Sequence, residues 1–89
     1  SGDGKLAISP DGTLIASTGF LDHTVRLWDL KSGACLQVIK GEFGGFAPYS
    51  IAFSPDGLRL VVGTADNDGR IYVFRFTDVH AAPTAEAAL

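Results

Sequence analysis

The chain is 89 residues long and 46% hydrophobic, which allows one small domain with a modest core and is too apolar for a disordered segment. Ten acidic residues against seven basic ones give a net charge of −3, and the Lys and Arg are scattered, so the basic face needed to hold a nucleic-acid backbone is excluded. Cys35 is the only cysteine, which excludes an intrachain disulfide and points to a reducing, intracellular setting, cytoplasmic or nuclear.

The first predicted strand covers residues 6–9 and runs into Ser9-Pro10-Asp11-Gly12. In such a turn Pro presets φ at the second position and Gly takes the positive φ that closes it. Residues 14–18 are the second predicted strand and residues 25–28, which alternate in and out, the third. Residues 34–39 are the fourth, following the turn at Lys31-Ser32-Gly33. The pattern then starts again. Residues 6–12 align with residues 51–57 at an offset of 45, bringing a second such turn, Ser54-Pro55-Asp56-Gly57, and residues 22–28 align with 68–74 at an offset of 46. A period near 45 residues suits a four-stranded unit, and no segment sustains a helical period.

The second copy predicts strands at 49–54, 60–63 and 71–76. After Phe76 the chain reads TDVHAAPTAEAAL, with Pro83 near its middle and no β-branched alternation, so no eighth strand is predicted. The expected organisation is a first unit over residues 1–40, a second over 41–76 that lacks its outer strand, and a flexible Ala-rich tail over 77–89.

The segment LAISPDGTLIASTGFLDHTVRLWDLKSGACLQVIK, with its Trp28-Asp29 pair, and the segment YSIAFSPDGLRLVVGTADNDGRIYVFRF resemble two consecutive blades of the WD-repeat β-propeller family. The resemblance covers residues 5–76 and implies an all-β fold of antiparallel four-stranded propeller blades, one complete and one with three strands. It implies that Asp22 and Asp68, each six residues before the aromatic Trp28 or Phe74, hold the hairpin between the second and third strands by accepting backbone amides. It also implies that Ser17 or Thr18 in one copy, and Thr64 in the other, supply the second-strand hydroxyl of the blade network. The sequence departs from the family in two places. The Gly-His pair expected before the first strand is missing, with GEFGGFAP standing there in the second copy, and Phe74 cannot donate a hydrogen bond as the Trp28 indole does. Both departures predict a weakened polar network.

A chain whose last unit stops at its third strand resembles the C-terminal end of a propeller, whose missing strand comes from elsewhere. Two blades cannot close a ring, which usually needs about 4 to 8. Left alone they would expose two apolar faces and an unpaired edge, so further blades are expected, from the same longer chain or from associating copies.

Propellers of this family work mainly as rigid interaction platforms, and the resemblance implies a noncatalytic scaffold whose partners are proteins or peptides bound around the central channel. The positions it assigns to that face are Ala47 and Tyr49 at the entry to the second copy, Leu21 before Asp22, and Asn67 before Asp68. The plainer reading of Tyr49 is packing against the neighbouring blade, and Phe20-Leu21 is either a loop anchor or part of the rim. Trp28-Asp29-Leu30-Lys31 nearly matches a Trp-Asp-x-Arg pattern of ubiquitin-ligase receptors, which supplies an alternative: a substrate-recognition subunit of a multiprotein enzyme complex. Lys in place of Arg loses the forked contact of that pattern.

Other features look chemical and read as structural. Asp66-Asn67-Asp68-Gly69 begins like a calcium loop but lacks the distal Glu, and Gly44-Gly45 lacks the Lys-Ser/Thr of a phosphate-binding loop. His23 and His80 have no second ligand at useful spacing, and Cys35 reads as a small buried apolar residue. No catalytic residue, metal or cofactor is therefore expected. A membrane partner is not expected either: no stretch approaches about 18 consecutive apolar residues, and no charged, then apolar, leader is visible.

Overall fold

The two Ser-Pro-Asp-Gly turns fold as near-identical hydrogen-bonded units. In the first, Ser9 Oγ donates to Asp11 Oδ1 at 2.7 Å while accepting from the amides of Thr13 (3.2 Å) and Leu14 (3.0 Å), and Gly12 N donates back to Ser9 O at 2.9 Å. In the second, Ser54 Oγ donates to Asp56 Oδ1 at 2.6 Å and accepts from Arg59 N at 3.0 Å, and Gly57 N donates to Ser54 O at 2.9 Å. Gly12 and Gly57 adopt φ of 75° and 73°, a left-handed conformation that a Cβ would strain. Each turn thus reverses the chain and sets the register of the strands on either side.

The structure, a computed structural model, describes residues 4–19, 22–40, 43, 47–64, 70–78 and 81–89. Its strands are β1 (Leu6–Ile8), β2 (Leu14–Gly19), β3 (Thr24–Asp29), β4 (Cys35–Lys40), β5 (Pro48–Phe53), β6 (Arg59–Thr64), β7 (Ile71–Arg75) and β8 (Thr84–Ala88). They make two antiparallel four-stranded sheets, ordered β1-β2-β3-β4 and β5-β6-β7-β8. The all-β architecture of two blade-like sheets, not closed into a ring, is the one the repeat predicts.

The strand count differs from the expectation. The second sheet has its outer strand, supplied by the Ala-rich tail: β8 pairs with β7 through Tyr72↔Ala88, Val73↔Ala87, Phe74↔Ala85 and Arg75↔Thr84. An edge strand needs only one ladder of backbone bonds and no buried side chains of its own, so a run of alanines after Pro83 suffices although it lacks β-branched residues. The irregularity between Val73 and Phe74 in this pairing sits where β3 and β4 shift register, between Leu27 and Trp28, so β8 occupies the place of β4. The expectations that the last blade lacks a strand, and that its fourth strand comes from elsewhere, are therefore corrected. A second correction concerns Cys35, which is exposed because it opens the outer strand β4, away from the sheet-to-sheet interface.

One face of each sheet is buried against the other. Leu14, Ala16, Val25, Leu27 and Ile39 from the first sheet join Leu60, Val62, Phe74, Phe76 and Phe43 in a single core, with Ile51, Phe53, Tyr72 and Leu36 packed on it. The period-2 alternation of β2 and β6 supplies these residues: alternate positions are buried along both strands.

The turn carboxylates Asp11 and Asp56 have pKa values lowered from 3.8, first of all by the hydroxyls of Ser9 and Ser54 that donate to them. Above 3.8 they are ionised in both the folded and the unfolded chain, and their stabilising contribution is complete. As pH falls through that value the unfolded chain takes up protons first, and the contribution is lost down to the lower folded values. The urea midpoint is expected to drop as pH falls from about 5 to 3, and the pair Asp11→Asn with Asp56→Asn is expected to flatten that decline. An acid limb as steep in the double variant as in the parent chain would show that the turns do not carry it.

Candidate functional site

In the first sheet polar side chains make three separate sets of hydrogen bonds. Trp28 lies on β3 and its indole Nε1 donates to Ser17 Oγ on β2 at 3.0 Å. Of the two hydroxyls that the sequence offers, Ser17 and Thr18, it is Ser17 that receives the indole. Thr18, on the opposite face, accepts from the amide of Lys5 at 2.8 Å and so fastens the entry of β1. Asp22 accepts from Thr24 Oγ1 at 2.7 Å and Thr24 N at 3.2 Å, and pairs with Arg26 at 3.2 Å. These partners lower its pKa, the Thr24 hydroxyl most and then the Arg26 hydrogen bond. Asp22 thereby holds the start of β3, and His23 beside it takes a left-handed φ of 57°.

In the second sheet the positions of the Trp28–Ser17 link are apolar. Strand register places Val62 where the first sheet has Ser17, and Phe74 where it has Trp28. Donor and acceptor are thus lost together, leaving two buried apolar side chains and no orphaned polar atom. Phe43 completes the packing: its ring lies edge-on to Tyr72 at 5.6 Å and to Phe74 at 5.9 Å. Edge-to-face pairs at such distances are favourable. Phe43 sits in the segment that lacks the expected Gly-His pair, and it is buried. The only hint in the sequence is an aromatic residue within a glycine-rich stretch. Thr64 is buried and its hydroxyl donates to Arg70 O at 3.4 Å, a bond across the β6–β7 connection.

The four residues expected to face a partner are only partly brought together. Leu21 and Asn67 lie outside the described residues, as do Phe20, Asp68, His80, and the Gly44-Gly45 and Asp66-Asn67-Asp68-Gly69 segments. Ala47 is 8% exposed and offers little surface. Tyr49, next along at the entry of β5, is 47% exposed, and the Lys5 ammonium stands 5.4 Å from its ring centroid. This cation–π contact joins the entry of the first sheet to that of the second, and exposed contacts of the kind are worth about 0.5–1 kcal/mol. Among the described residues no group of three or more His, Cys, Asp or Glu side chains could hold a metal, and no helix is long and apolar enough to cross a membrane.

Comparison with known proteins agrees with this geometry. A family model described as "WD domain, G-beta repeat" matches residues 4–29 and 33–75. Eukaryotic translation initiation factor 3 subunit I from Coccidioides immitis is 42% identical over 72 residues, covering 81% of this chain and 20% of that protein. Its counterpart from Aspergillus fumigatus is 38% identical over 73 residues, covering 82% of this chain and 20% of that protein. Angio-associated migratory cell protein from Homo sapiens is 35% identical over 65 residues, covering 72% of this chain and 15% of that protein. The chain spans about a fifth of the length of the curated relatives it matches.

The exchange of a hydrogen-bonded pair for an apolar one can be imitated in the first sheet. Trp28→Phe alone is expected to cost about 1 kcal/mol or more, because Ser17 loses its donor. Adding Ser17→Val is expected to recover a good part of that loss in chemical denaturation, and a double variant as unstable as the sum of both single changes would contradict the pairing.

Proposed function

We propose that this chain, which belongs to the WD-repeat family of β-propeller proteins, acts as a noncatalytic protein-interaction scaffold. The observation that carries this reading is Tyr49. It is a large amphipathic ring left half-exposed on a rigid two-sheet frame, beside the entry of both first strands and under the Lys5 ammonium. Tyrosine gives a partner a wide contact at low entropic cost. Among the described residues four aspartates are committed to the fold: Asp11 and Asp56 to the turns, Asp22 to the start of β3, and Asp29 to the amide of Lys31 and the hydroxyl of Ser32.

The partner is a protein or peptide rather than a nucleic acid or membrane. Net charge is negative, and two of the arginines are already paired, Arg26 with Asp22 and Arg59 with Glu86. The relatives named as a subunit suggest a more specific setting, a blade pair within one subunit of a larger intracellular assembly such as translation initiation factor 3. A differently named protein matches at similar identity, so the shared property is the blade surface.

Tyr49→Ala is expected to leave the fold unchanged by circular dichroism and to weaken partner binding by about 1–2 kcal/mol. Proteins retained by the immobilised chain are identified by mass spectrometry, and the strongest is then titrated against the parent and the variant. Equal affinities would remove Tyr49 from the surface.

A further inference from the structure

Lys5 and Tyr49 are presented by devices that the repeated unit itself does not need. At the offset of 45 the first copy carries Gly4 where the second has Tyr49, so the contact of ammonium and ring belongs to the junction of the two sheets and not to either blade. Along β5 the ladder pairs Pro48 with Thr64 and then Ser50 with Gly63, and the shift between them leaves Tyr49 without a partner across the strands. Such a bulge re-aims a side chain, and bulges are over-represented beside functional sites. Its flanks are fixed. Pro48 is fully buried, and Gly63 gives the Ser50 hydroxyl room, since a Cβ there would stand 2.5 Å from its oxygen. Lys5 is held as firmly: its amide donates to Thr18 Oγ1 at 2.8 Å and its carbonyl accepts from Thr18 N at 3.0 Å.

The ammonium held in this way is chemically unspent. Contact with a ring face uses none of its three N–H donors. Arg26 and Arg59 each meet a carboxylate, whereas among the described residues Lys5 meets none within ion-pair distance. An exposed cation beside a half-exposed ring is complemented by a carboxylate on a short apolar stem: the carboxylate accepts from the ammonium and the methylenes lie along the ring. A glutamate or aspartate side chain has that shape. A chain-terminal carboxylate is captured by a nest of free backbone amides, and the Lys5 amide is already bonded. With a net charge of −3 the chain supplies no long-range attraction for an acidic partner, so recognition rests on this local contact.

We infer that the Lys5–Tyr49 pair is the receptor for an acidic side chain of a protein partner. This names the chemistry of the partner at the surface proposed above, and it rests on that reading.

The test selects binders from a phage-displayed library of random peptides, each fused at its C terminus so that no terminal carboxylate is free. The parent chain is expected to select peptides with Glu or Asp at one fixed position, and Lys5→Glu to select Lys or Arg there. For a selected peptide made with a capped C terminus, Glu→Gln in the peptide and Lys5→Gln in the chain are each expected to weaken binding about three- to fivefold, and the two together little more than either alone. Circular dichroism checks the fold of each variant, and should Lys5→Glu fail to fold, Lys5→Gln still decides. An acidic position that persists with Lys5→Glu, a parent selection without one, or binding only to peptides with a free terminal carboxylate overturns the inference. The two readings separate. Tyr49→Ala without effect on the selected peptides removes the surface itself, whereas Tyr49→Ala that weakens them while Lys5→Glu leaves the selection unchanged removes the acid preference alone.

Discussion

Neither sheet of this protein can cover itself, and everything else in the structure depends on how that exposure is resolved. Leu14, Ala16, Val25, Leu27 and Ile39 on one sheet and Leu60, Val62, Phe74 and Phe76 on the other are buried only because they face each other. Burying an apolar side chain of this size is worth about 1.5–3 kcal/mol, while isolated small sheets are marginal. The paired turns bring the sheets together at one end, where Pro10 lies beside Gly57. At the entries of β1 and β5 Lys5 lies over Tyr49.

Within that frame, the two blades hold their strands together by different chemistry. The first keeps a polar link from Trp28 to Ser17, and the second replaces both partners by Phe74 and Val62 and adds Phe43. The replacement is consistent because donor and acceptor leave together, which avoids the cost of an unpartnered polar atom.

Much of this was legible in the residues. The Ser-Pro-Asp-Gly repeats, their offset and the alternation of β2 and β6 announce two copies of one all-β unit, because turn chemistry and strand period are local properties. The β8 strand was not legible. Alanines after Pro83 carry no strand preference, and they are held by the β7 edge that only the folded sheet presents. Phe43 was missed because a single aromatic in a glycine-rich stretch has no periodicity, and its role comes from Tyr72 and Phe74, distant in sequence. Cys35 reads as buried from its type, its place on a strand and the lack of basic neighbours, whereas its position at the start of an outer strand leaves it exposed. The Tyr49 candidate could be read from its place at the entry of the second copy, but its contact with Lys5 depends on the two sheets lying side by side.

The central claim is that the two sheets form one cooperative unit through their shared core. Native-state hydrogen exchange tests it most directly, since it reads the opening free energy of each strand separately. The account predicts that the central strands β2, β3, β6 and β7 exchange through one common opening, with the same free energy and the same denaturant dependence. Two distinct sets of opening energies, one for β2 and β3 and another for β6 and β7, would contradict it.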